Sequence, residues 1–437
     1  MFRYGLMLMP LLTLAGCGSD SSGTDSNASV EVCSVADQKQ RFFEHMKQDY
    51  YWADQLPQQL DLSQYQSMAE VLEALRVPQD RYSYILTEDE YQSLFIDASY
   101  YGFGFSALQT NDNRVLIRYN YPSSPAAEAG LARGDELLKI EGEAVATLLA
   151  ERRYQDALGP NQEGISRELT WQKPDGSQIT AELTKTQVEQ KSVFATQTYQ
   201  LADNSRVGYF VIDSFIGRTG DDLNQAYNQL AQQNIDHLVI DVRYNGGGYI
   251  QYANQASTQA AGNNVLGKVF AEFRFNDNNA SKNSTLDFDL GEGIEQLNID
   301  TVYVLTTRAT CSASELIINS LKPHVNVINI GSQSCGKPVG QEPTKICDKR
   351  TFEINFALFN SAGQGNYFTG LTPTCNVADQ IVADWGSNQD PLTAAANYYM
   401  ENNQCPASAA VDAIEQQSQQ RQPQPLNNLR EKRKTVF

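Results

Sequence analysis

Histidine, basic charge and long apolar runs are all scarce in this sequence. The chain of 437 residues has 33 lysines and arginines against 52 acidic residues, which gives a net charge of −19. So acidic a chain cannot neutralise a run of phosphates, and nucleic acid is therefore excluded as a partner. Beyond the N-terminal segment, no stretch is long and apolar enough to predict a membrane span. With 41% hydrophobic residues, the chain can still bury a sizeable core.

The three histidines are poorly placed for a Ser-His-Asp triad. His45 falls in a predicted helix, His237 begins a predicted strand, and His324 follows the helix after Ser312, at the opposite end from that serine. A serine nucleophile in this chain would therefore need another base.

The cysteines lack the close paired spacing of a zinc site, and no metal is expected. Apart from Cys17 there are six: Cys33, Cys311, Cys335, Cys347, Cys375 and Cys405. An even number in an exported protein is typical of disulfides, although many pairings are possible and the sequence alone does not choose among them.

The N-terminal residues predict an export signal. Residues 1–16 contain one arginine and a short apolar run, which predict a signal peptide. The LAGC segment ending at Cys17 resembles a bacterial lipoprotein box, which implies cleavage before Cys17 and lipid attachment to it; a plain signal peptide is the alternative. Residues 17–31 are small and polar and predict a flexible tether. Because no acid directly follows Cys17, the resemblance implies a lipid anchor in the bacterial cell envelope, at the outer membrane facing the periplasm.

The predicted fold class is α/β, mixed and multi-domain. Residues 32–98 carry apolar and aromatic residues at helical spacing and predict a helical region. Residues 99–190 alternate apolar and polar residues between turn signals and predict a β-rich unit. Residues 191–405 alternate strands with helices and predict an α/β core with a largely parallel sheet. Residues 406–437, rich in glutamine and broken by proline, predict a disordered tail.

Three predicted strands end in segments suited to chemistry. HLVIDV runs into residues 243–248 (RYNGGG), TVYVLT runs toward Ser312, and VNVINI runs toward Lys337. Because parallel strands place their carboxyl ends at one edge, Ser312 and Lys337 are expected to meet there. Ser312 and Glu315 also fit an S-x-x-E capping box, which requires no chemistry. A buried lysine with a lowered pKa can replace histidine as a base, whereas an exposed lysine on a glycine turn is the simpler alternative.

These segments resemble the signature blocks of the C-terminal processing (tail-specific) peptidases of S41 type. The matching residues are DVRYNGGG at 241–248, SASE from Ser312, and Gly336-Lys337 followed by Gln341. The resemblance implies a serine peptidase with a Ser-Lys catalytic pair. Ser312 is then the nucleophile, Lys337 the general base, and Gln341 the residue that orients Lys337.

A serine at a helix N-terminus places backbone N–H groups and the positive end of the helix dipole where an oxyanion would form. We expect the N–H of Ala313 and one from Gly247 or Gly248 to form that hole, since glycine lets the backbone approach a scissile carbonyl. Ser314 is a rival nucleophile that is expected to point elsewhere, and Cys311 is expected to pair or to pack under the site. A Cys311–Cys335 bridge would tie the two catalytic segments together; pairing of Cys335 with Cys347 is equally open.

A second resemblance lies in the β-rich unit. Gly102, Phe103, Gly104 and Phe105 have the form of the GLGF loop of PDZ domains, whose N–H groups capture a terminal carboxylate. Residues 124–145 resemble the helix-turn-strand segment of bacterial PDZ domains, so residues 99–190 are expected to form one. Upstream, DRYSY at 80–84 resembles the D-x-x-S-x-Y stretch of the same peptidase family.

The expected function is a lipid-anchored serine endopeptidase without a cofactor. It would recognise free, apolar C-termini of proteins or peptides through the PDZ domain and cleave exported polypeptides. The alternative is a non-catalytic PDZ-bearing lipoprotein scaffold that binds protein tails. The intact Ser312–Lys337 pair, which a scaffold is free to lose, favours the peptidase.

Overall fold

The computed structural model describes residues 33–92, 99–110 and 112–407. The signal peptide, the lipid attachment at Cys17, the tether at 17–31 and the tail from residue 408 onward lie outside the described residues. Within those ranges, the fold is mixed α/β with helices first and several sheets after them, as predicted. None of the helices in the described ranges has the length and apolar character needed to cross a bilayer.

The N-terminal region is built on two amphipathic helices. Its elements are α1 (Val35–Asp49), α2 (Met68–Leu75), β1 (Tyr84–Thr87) and α3 (Glu88–Tyr91). Each of the first two helices begins at a serine, Ser34 or Ser67, whose side chain accepts a backbone N–H of the first turn. The apolar positions of α2 recur at helical spacing and are buried. The prediction for residues 32–98 named helices only, and the strand β1 differs from it because its apolar side chains pair with a later strand.

The β-rich unit follows. Its elements are β2 (Ser99–Gly102), β3 (Phe105–Gln109), β4 (Val115–Asn120), α4 (Pro125–Glu128), β5 (Glu136–Ile140), β6 (Glu143–Ala144), α5 (Val145–Ala150), α6 (Tyr154–Leu158), β7 (Ser166–Gln172), β8 (Gln178–Thr184) and β9 (Thr186–Glu189). One sheet has the order β3-β4-β5-β7-β8 with β6 beside β5, while β2 pairs with β9. A separate apolar core surrounds the fully buried Trp171.

The remaining elements form the α/β core. They are β10 (Val193–Gln200), β11 (Arg206–Ile212), α7 (Thr219–Ala231), β12 (His237–Asp241), α8 (Ile250–Ala261), β13 (Val269–Phe275), β14 (Ser284–Asp287), β15 (Thr301–Thr306), α9 (Ala313–Leu321), β16 (Asn326–Gly331), β17 (Val339–Gly340), β18 (Thr344–Ile346), β19 (Lys349–Phe352), β20 (Phe356–Phe359), β21 (Cys375–Asn376) and α10 (Pro391–Asn402).

The main sheet has the order β10-β11-β12-β15-β16-β21 and is parallel except for β10. Its central strands are almost continuously apolar because both of their faces are covered. The register sets Asp241 beside Leu305 and Thr306 beside Gly331. The chain therefore leaves β12, β15 and β16 at one edge, where the predicted catalytic segments begin.

Two smaller sheets connect the core to the N-terminal region. One has the order β14-β13-β20-β17, and the other has the order β1-β19-β18. The stacked rings of Tyr84 and Phe352, 4.5 Å apart, explain why β1 pairs with β19. The segment before β1, which contains Tyr82, thereby lies next to the segment that follows Lys337.

Three disulfides resolve the pairing that the sequence left open. They are Cys33–Cys347, Cys311–Cys335 and Cys375–Cys405. The pairing of Cys335 with Cys347 is not formed, because Cys347 bonds Cys33 at the start of the described chain.

Candidate active site

Ser312 lies on a strained turn directly before α9. Its φ is 54°, a left-handed conformation that costs a residue with a Cβ about 1–3 kcal/mol. The turn is held from two sides: the Cys311 N–H donates to the carbonyl of Asn245 at 3.0 Å, and the Cys335 N–H donates to the carbonyl of Thr310 at 3.0 Å. The surroundings therefore impose a backbone conformation at Ser312 that the residue itself disfavours.

Glu315 joins the serine and lysine segments. Its buried carboxylate accepts the N–H groups of Ser312 at 2.9 Å, Gly336 at 2.8 Å and Lys337 at 2.8 Å, and it also accepts the Ser334 hydroxyl. Burial raises the pKa of Glu315, while the hydroxyl and the backbone donors act to lower it. The sequence identified this residue only as a capping partner, yet it holds both segments in one place.

Lys337 is a buried amine fixed by an amide. Its side chain is almost fully enclosed, at 2% exposure, and its Nζ donates to Gln341 Oε1 at 2.8 Å. Burial lowers the pKa of Lys337 to about 7, although the negative charges of Asp80 and Glu315 act in the opposite direction. A pKa in this range leaves part of the Lys337 population neutral at neutral pH and able to accept a proton.

Gln341 can present only one end of its amide to the lysine. Its Nε2 donates to the carbonyl oxygens of Tyr82 at 2.7 Å and Phe352 at 2.9 Å. Because both of these partners are acceptors, they hold the NH₂ group and leave Oε1 for Lys337. The predicted orienting residue is thus held in turn by the segment before β1 and by β19.

The glycine loop after β12 packs directly against Ser312. A Cβ on Gly247, whose φ is 114°, would lie 2.8 Å from the Ser312 Cβ and 3.3 Å from the Ala313 nitrogen. The Gly247 N–H already donates to Asn245 Oδ1 at 2.8 Å. Within the described ranges, the N–H groups of Gly248 and Ala313 donate to no protein acceptor. Of the three expected oxyanion donors, these two are therefore available.

The structure places Ser312 and Lys337 in adjoining segments. Across the described part of the chain, no hydrogen bond joins the Ser312 hydroxyl to the Lys337 amine. The two segments are nevertheless fixed to each other by Glu315 and by the Cys311–Cys335 disulfide.

The rival groups are engaged elsewhere. The buried Ser314 hydroxyl donates to the Asn245 carbonyl at 3.0 Å, and Cys311 is part of a disulfide. The three histidines have no hydrogen bond to Ser312; His45, for example, binds Glu353 at 2.6 Å.

The predicted carboxylate loop joins β2 to β3 in the β-rich unit. The carbonyls of Phe103 and Gly104 accept the N–H groups of Ala126 at 2.9 Å and Tyr121 at 2.8 Å, which turns both carbonyls toward the unit. In the ranges that the structure covers, the N–H groups of Phe103 and Gly104 donate no hydrogen bond. Gly104 has a φ of 84°, and a Cβ there would collide with Ser124. Gly102 pairs with β9, and Phe105 begins β3.

Comparison with known proteins identifies the family. The model of the peptidase S41 N-terminal domain matches residues 37–84, and the model of peptidase family S41 matches residues 206–377. The chain belongs to peptidase family S41, whose carboxy-terminal processing members are serine-type hydrolases.

Curated relatives and a solved structure agree with this assignment. The carboxy-terminal processing protease CtpB of Bacillus subtilis is 25% identical over 64% of this chain and 55% of its own length. CtpA of the same organism is 25% identical over 83% of this chain and 73% of its own length. The chain thus spans about half to three quarters of these relatives. An S41 protease structure from Bacteroides fragilis, 24% identical, covers 83% of this chain and 97% of its own with a TM-score of 0.68, which shows a shared fold.

Sequence reasoning missed the functional contacts of Glu315, Asn245 and Tyr82. A charged residue within the apolar start of α9 was a usable signal for Glu315, because a buried carboxylate requires several donors. For Tyr82, the resemblance of DRYSY at 80–84 marked the segment but not its partner, because Gln341 lies 259 residues further along the chain.

Proposed function

We propose that this protein is a carboxy-terminal processing serine endopeptidase with Ser312 as nucleophile, Lys337 as general base and Gln341 as the residue that orients Lys337. The observation that carries the proposal is the buried Lys337 amine, which has a pKa of about 7 and is held by Gln341 next to the Ser312 turn. Burying a lysine without a directly paired carboxylate is unfavourable for folding. A role as a base at neutral pH would explain why the fold tolerates this cost.

The proposed chemistry balances with these groups alone. A bound peptide brings its scissile carbonyl to Ser312, and the neutral Lys337 amine takes the hydroxyl proton as the oxygen attacks. The resulting ammonium then donates that proton to the leaving amine, which leaves an acyl ester on Ser312. A water molecule, deprotonated by the same amine, attacks the ester, and the ammonium returns that proton to the Ser312 oxygen as it leaves, which releases the carboxylic acid and restores the enzyme.

The oxyanion of each tetrahedral intermediate would be bound by the N–H groups of Ala313 and Gly248. Both groups are without a protein acceptor, and that of Ala313 is at the N-terminus of α9, where the helix dipole favours negative charge. In this proposal Gly247 contributes by lacking a Cβ, since its own N–H is held by Asn245.

Substrate selection is assigned to the β-rich unit as a PDZ domain. The free N–H groups of Phe103 and Gly104 form a nest suited to a terminal carboxylate, and the backbone of β3 beside them offers an edge for an added strand. Free, apolar C-termini are the proposed ligands. The proposed location is the bacterial cell envelope, with the chain lipid-anchored through Cys17 at the outer membrane and facing the periplasm.

The test is cleavage of unfolded proteins by the full chain in detergent. The substrates are one protein ending in apolar residues and the same protein ending in acidic residues. Wild type should cleave the first faster, whereas Ser312→Ala and Lys337→Ala should cleave neither. Ser314→Ala is the matched control, since it removes a neighbouring hydroxyl that lies outside the proposed chemistry. Equal cleavage by wild type and Ser312→Ala would refute the peptidase and leave the tail-binding scaffold.

The lipid anchor is tested separately in cells. Fatty-acid labelling of the wild-type chain and of Cys17→Ser should mark only the wild type, and only the labelled protein should sediment with outer membranes. Labelling of both proteins, or of neither, would contradict the proposed anchor.

A further inference from the structure

The segment at residues 80–83 takes part in none of the proton transfers proposed above. It nevertheless contacts Lys337, the proposed general base, and the residues around it. Tyr82 makes three separate contacts, one each with Gly336, Lys337 and Gln341. Its hydroxyl donates to the Gly336 carbonyl at 2.7 Å, its own carbonyl accepts Gln341 Nε2 at 2.7 Å, and the Lys337 Nζ lies 5.3 Å from the centre of its ring.

Each contact constrains a different part of the base. The hydroxyl bond fixes the peptide that precedes Lys337, and the carbonyl bond decides which end of Gln341 faces the amine. The ring offers its electron-rich face to Nζ, which favours the ammonium form over the amine. Burial raises the pKa of the Tyr82 phenol to about 12, so the hydroxyl remains a donor throughout the neutral range.

Tyr82 is itself held in place from both sides. The Arg81 guanidinium donates to the Tyr82 hydroxyl at 2.9 Å, to the Cys335 carbonyl at 3.3 Å and to the Phe368 carbonyl at 3.0 Å. The Asp80 carboxylate accepts the N–H of Tyr82 at 3.0 Å and the N–H of Ser83 at 2.9 Å. A side chain fixed at both neighbours can position another group without rearranging.

We propose that Tyr82 is a positioning residue for the general base, holding Lys337 and Gln341 in the arrangement that accepts the serine proton. The inference rests on the proposed peptidase function and extends it to a residue of the N-terminal region. Among the described residues, the charges that act on Lys337 are the carboxylates of Asp80 and Glu315, and the guanidinium of Arg81 acts on Tyr82; all three are unchanged in the variants below.

The test compares Tyr82→Leu, Tyr82→Phe and Tyr199→Leu in the full chain, with kcat and KM measured across pH. Tyr82→Leu removes the ring and the hydroxyl, and we expect kcat to fall about 10- to 100-fold with KM within about twofold. Its acid limb should move to lower pH, because the ammonium loses the ring that favours it. Tyr82→Phe keeps the ring, so its limb should stay in place while kcat falls about threefold.

Tyr199→Leu is the matched control because Tyr199, on β10, is also a partly buried tyrosine, and its hydroxyl donates to Asn397 Oδ1 at 2.9 Å instead of to the Lys337 segment. It should lower the unfolding temperature while leaving the pH limb unchanged. An unchanged kcat and limb in Tyr82→Leu, or an equal change in Tyr199→Leu, would overturn the proposal. If Tyr82→Leu does not fold, an unchanged kcat in Tyr82→Phe overturns it instead. Failure of the peptidase function would appear separately, as equal activity of wild type and Ser312→Ala.

Discussion

Arg243 and Lys337 are two fully buried cations in one α/β core, and their surroundings are opposite. Arg243 contacts three carboxylates, Asp241 at 2.7 Å, Asp379 at 2.8 Å and Asp390 at 2.7 Å. Burial acts to lower the pKa of Arg243, but these carboxylates outweigh it and raise the pKa. Lys337 Nζ instead donates a hydrogen bond to the Gln341 amide oxygen and lies 5.3 Å from the centre of the Tyr82 ring, and there burial prevails and lowers the pKa of Lys337.

Both cations are buried, so the difference between them comes from their chemistry as well as from their contacts. A guanidinium keeps its proton in proteins and Arg243 is also paired with carboxylates, whereas an ammonium without such a pair can lose its proton. Arg243 remains charged and fastens the start of the glycine loop to Asp390, the residue that caps α10. Lys337 can lose its proton near neutral pH. One core thus contains a permanent structural cation and a titratable one, on segments that both approach Ser312.

The largest expected effect comes from removing the titratable cation. Lys337→Met should lower kcat/KM by about a thousandfold or more, because no other base is in place. The same variant should be more stable than wild type at pH 7 by a few kcal/mol, because the unfolded lysine binds a proton up to pH about 10.5 that the folded one gives up near pH 7. This gain is complete below pH 7 and vanishes as the pH rises through about 10.5. Urea unfolding at several pH values measures it.

Lys337→Arg is the complementary variant. A guanidinium cannot give up its proton, so this variant should be inactive at every pH and, unlike Lys337→Met, less stable than wild type. A stable Lys337→Arg protein would show that the pocket tolerates a fixed charge, and the contrast with Arg243 would be lost.

Removing the structural cation should act on folding. Arg243→Met removes the guanidinium that Asp241, Asp379 and Asp390 share and should lower the free energy of unfolding by about 3–5 kcal/mol at pH 7. Arg350→Met, which breaks the partly exposed pair with Glu88 at 2.9 Å, should lower it by no more than about 1 kcal/mol. Equal losses in the two variants would mean that the buried carboxylates are relieved in some other way.

Two disulfides allow the surroundings of Lys337 and those of Arg243 to be perturbed separately. Cys311–Cys335 closes 24 residues beside Lys337, and Cys375–Cys405 closes 30 residues on the side of α10. Their loops are similar, so replacing either pair by alanine should lower stability by about 3–4 kcal/mol. At temperatures where both variants are folded, only Cys311→Ala/Cys335→Ala should also lose kcat, by about tenfold or more, because its segments carry the reacting groups. Equal kcat in both would leave the first bridge with a purely stabilising role.

The smallest expected effect comes from the Asp80 carboxylate, whose negative charge acts on Lys337. Wild-type kcat/KM should rise with pH through about 7 and then level off, because the base must be neutral. Asp80→Asn removes a charge that favours the ammonium, so its limb should move to lower pH by up to about one unit. A limb that moves upward would mean that Asp80 acts on Lys337 in some way other than through its charge.

The sequence predicted those parts of the site that depend on local pattern. The helix after Ser312, the strands that lead to it, and the Gly336-Lys337 turn all follow from periodicity and strand ends. The capping box was a correct interpretation in so far as Glu315 accepts the Ser312 N–H. Its remaining contacts depend on how two segments pack, which no local pattern records.

Long-range contacts account for most of what was missed. The contacts between Tyr82 and Gln341 require β1 to pair with β19, and β1 lies in a region where the prediction named helices only. The engagement of the Gly247 N–H by Asn245 was likewise invisible, because a glycine run predicts a turn without specifying which amide points inward.

The order in which the chain is made also bears on the site. Gln341 is oriented by the carbonyl of Tyr82 and by that of Phe352, which follows Gln341 by 11 residues, and Cys33 awaits Cys347 across 314 positions. A chain that is still being synthesised and has not reached Phe352 lacks one of the two acceptors that turn Gln341 toward the lysine. The two contacts that turn the Gln341 amide toward Lys337 are therefore complete only after residue 352 has joined the fold.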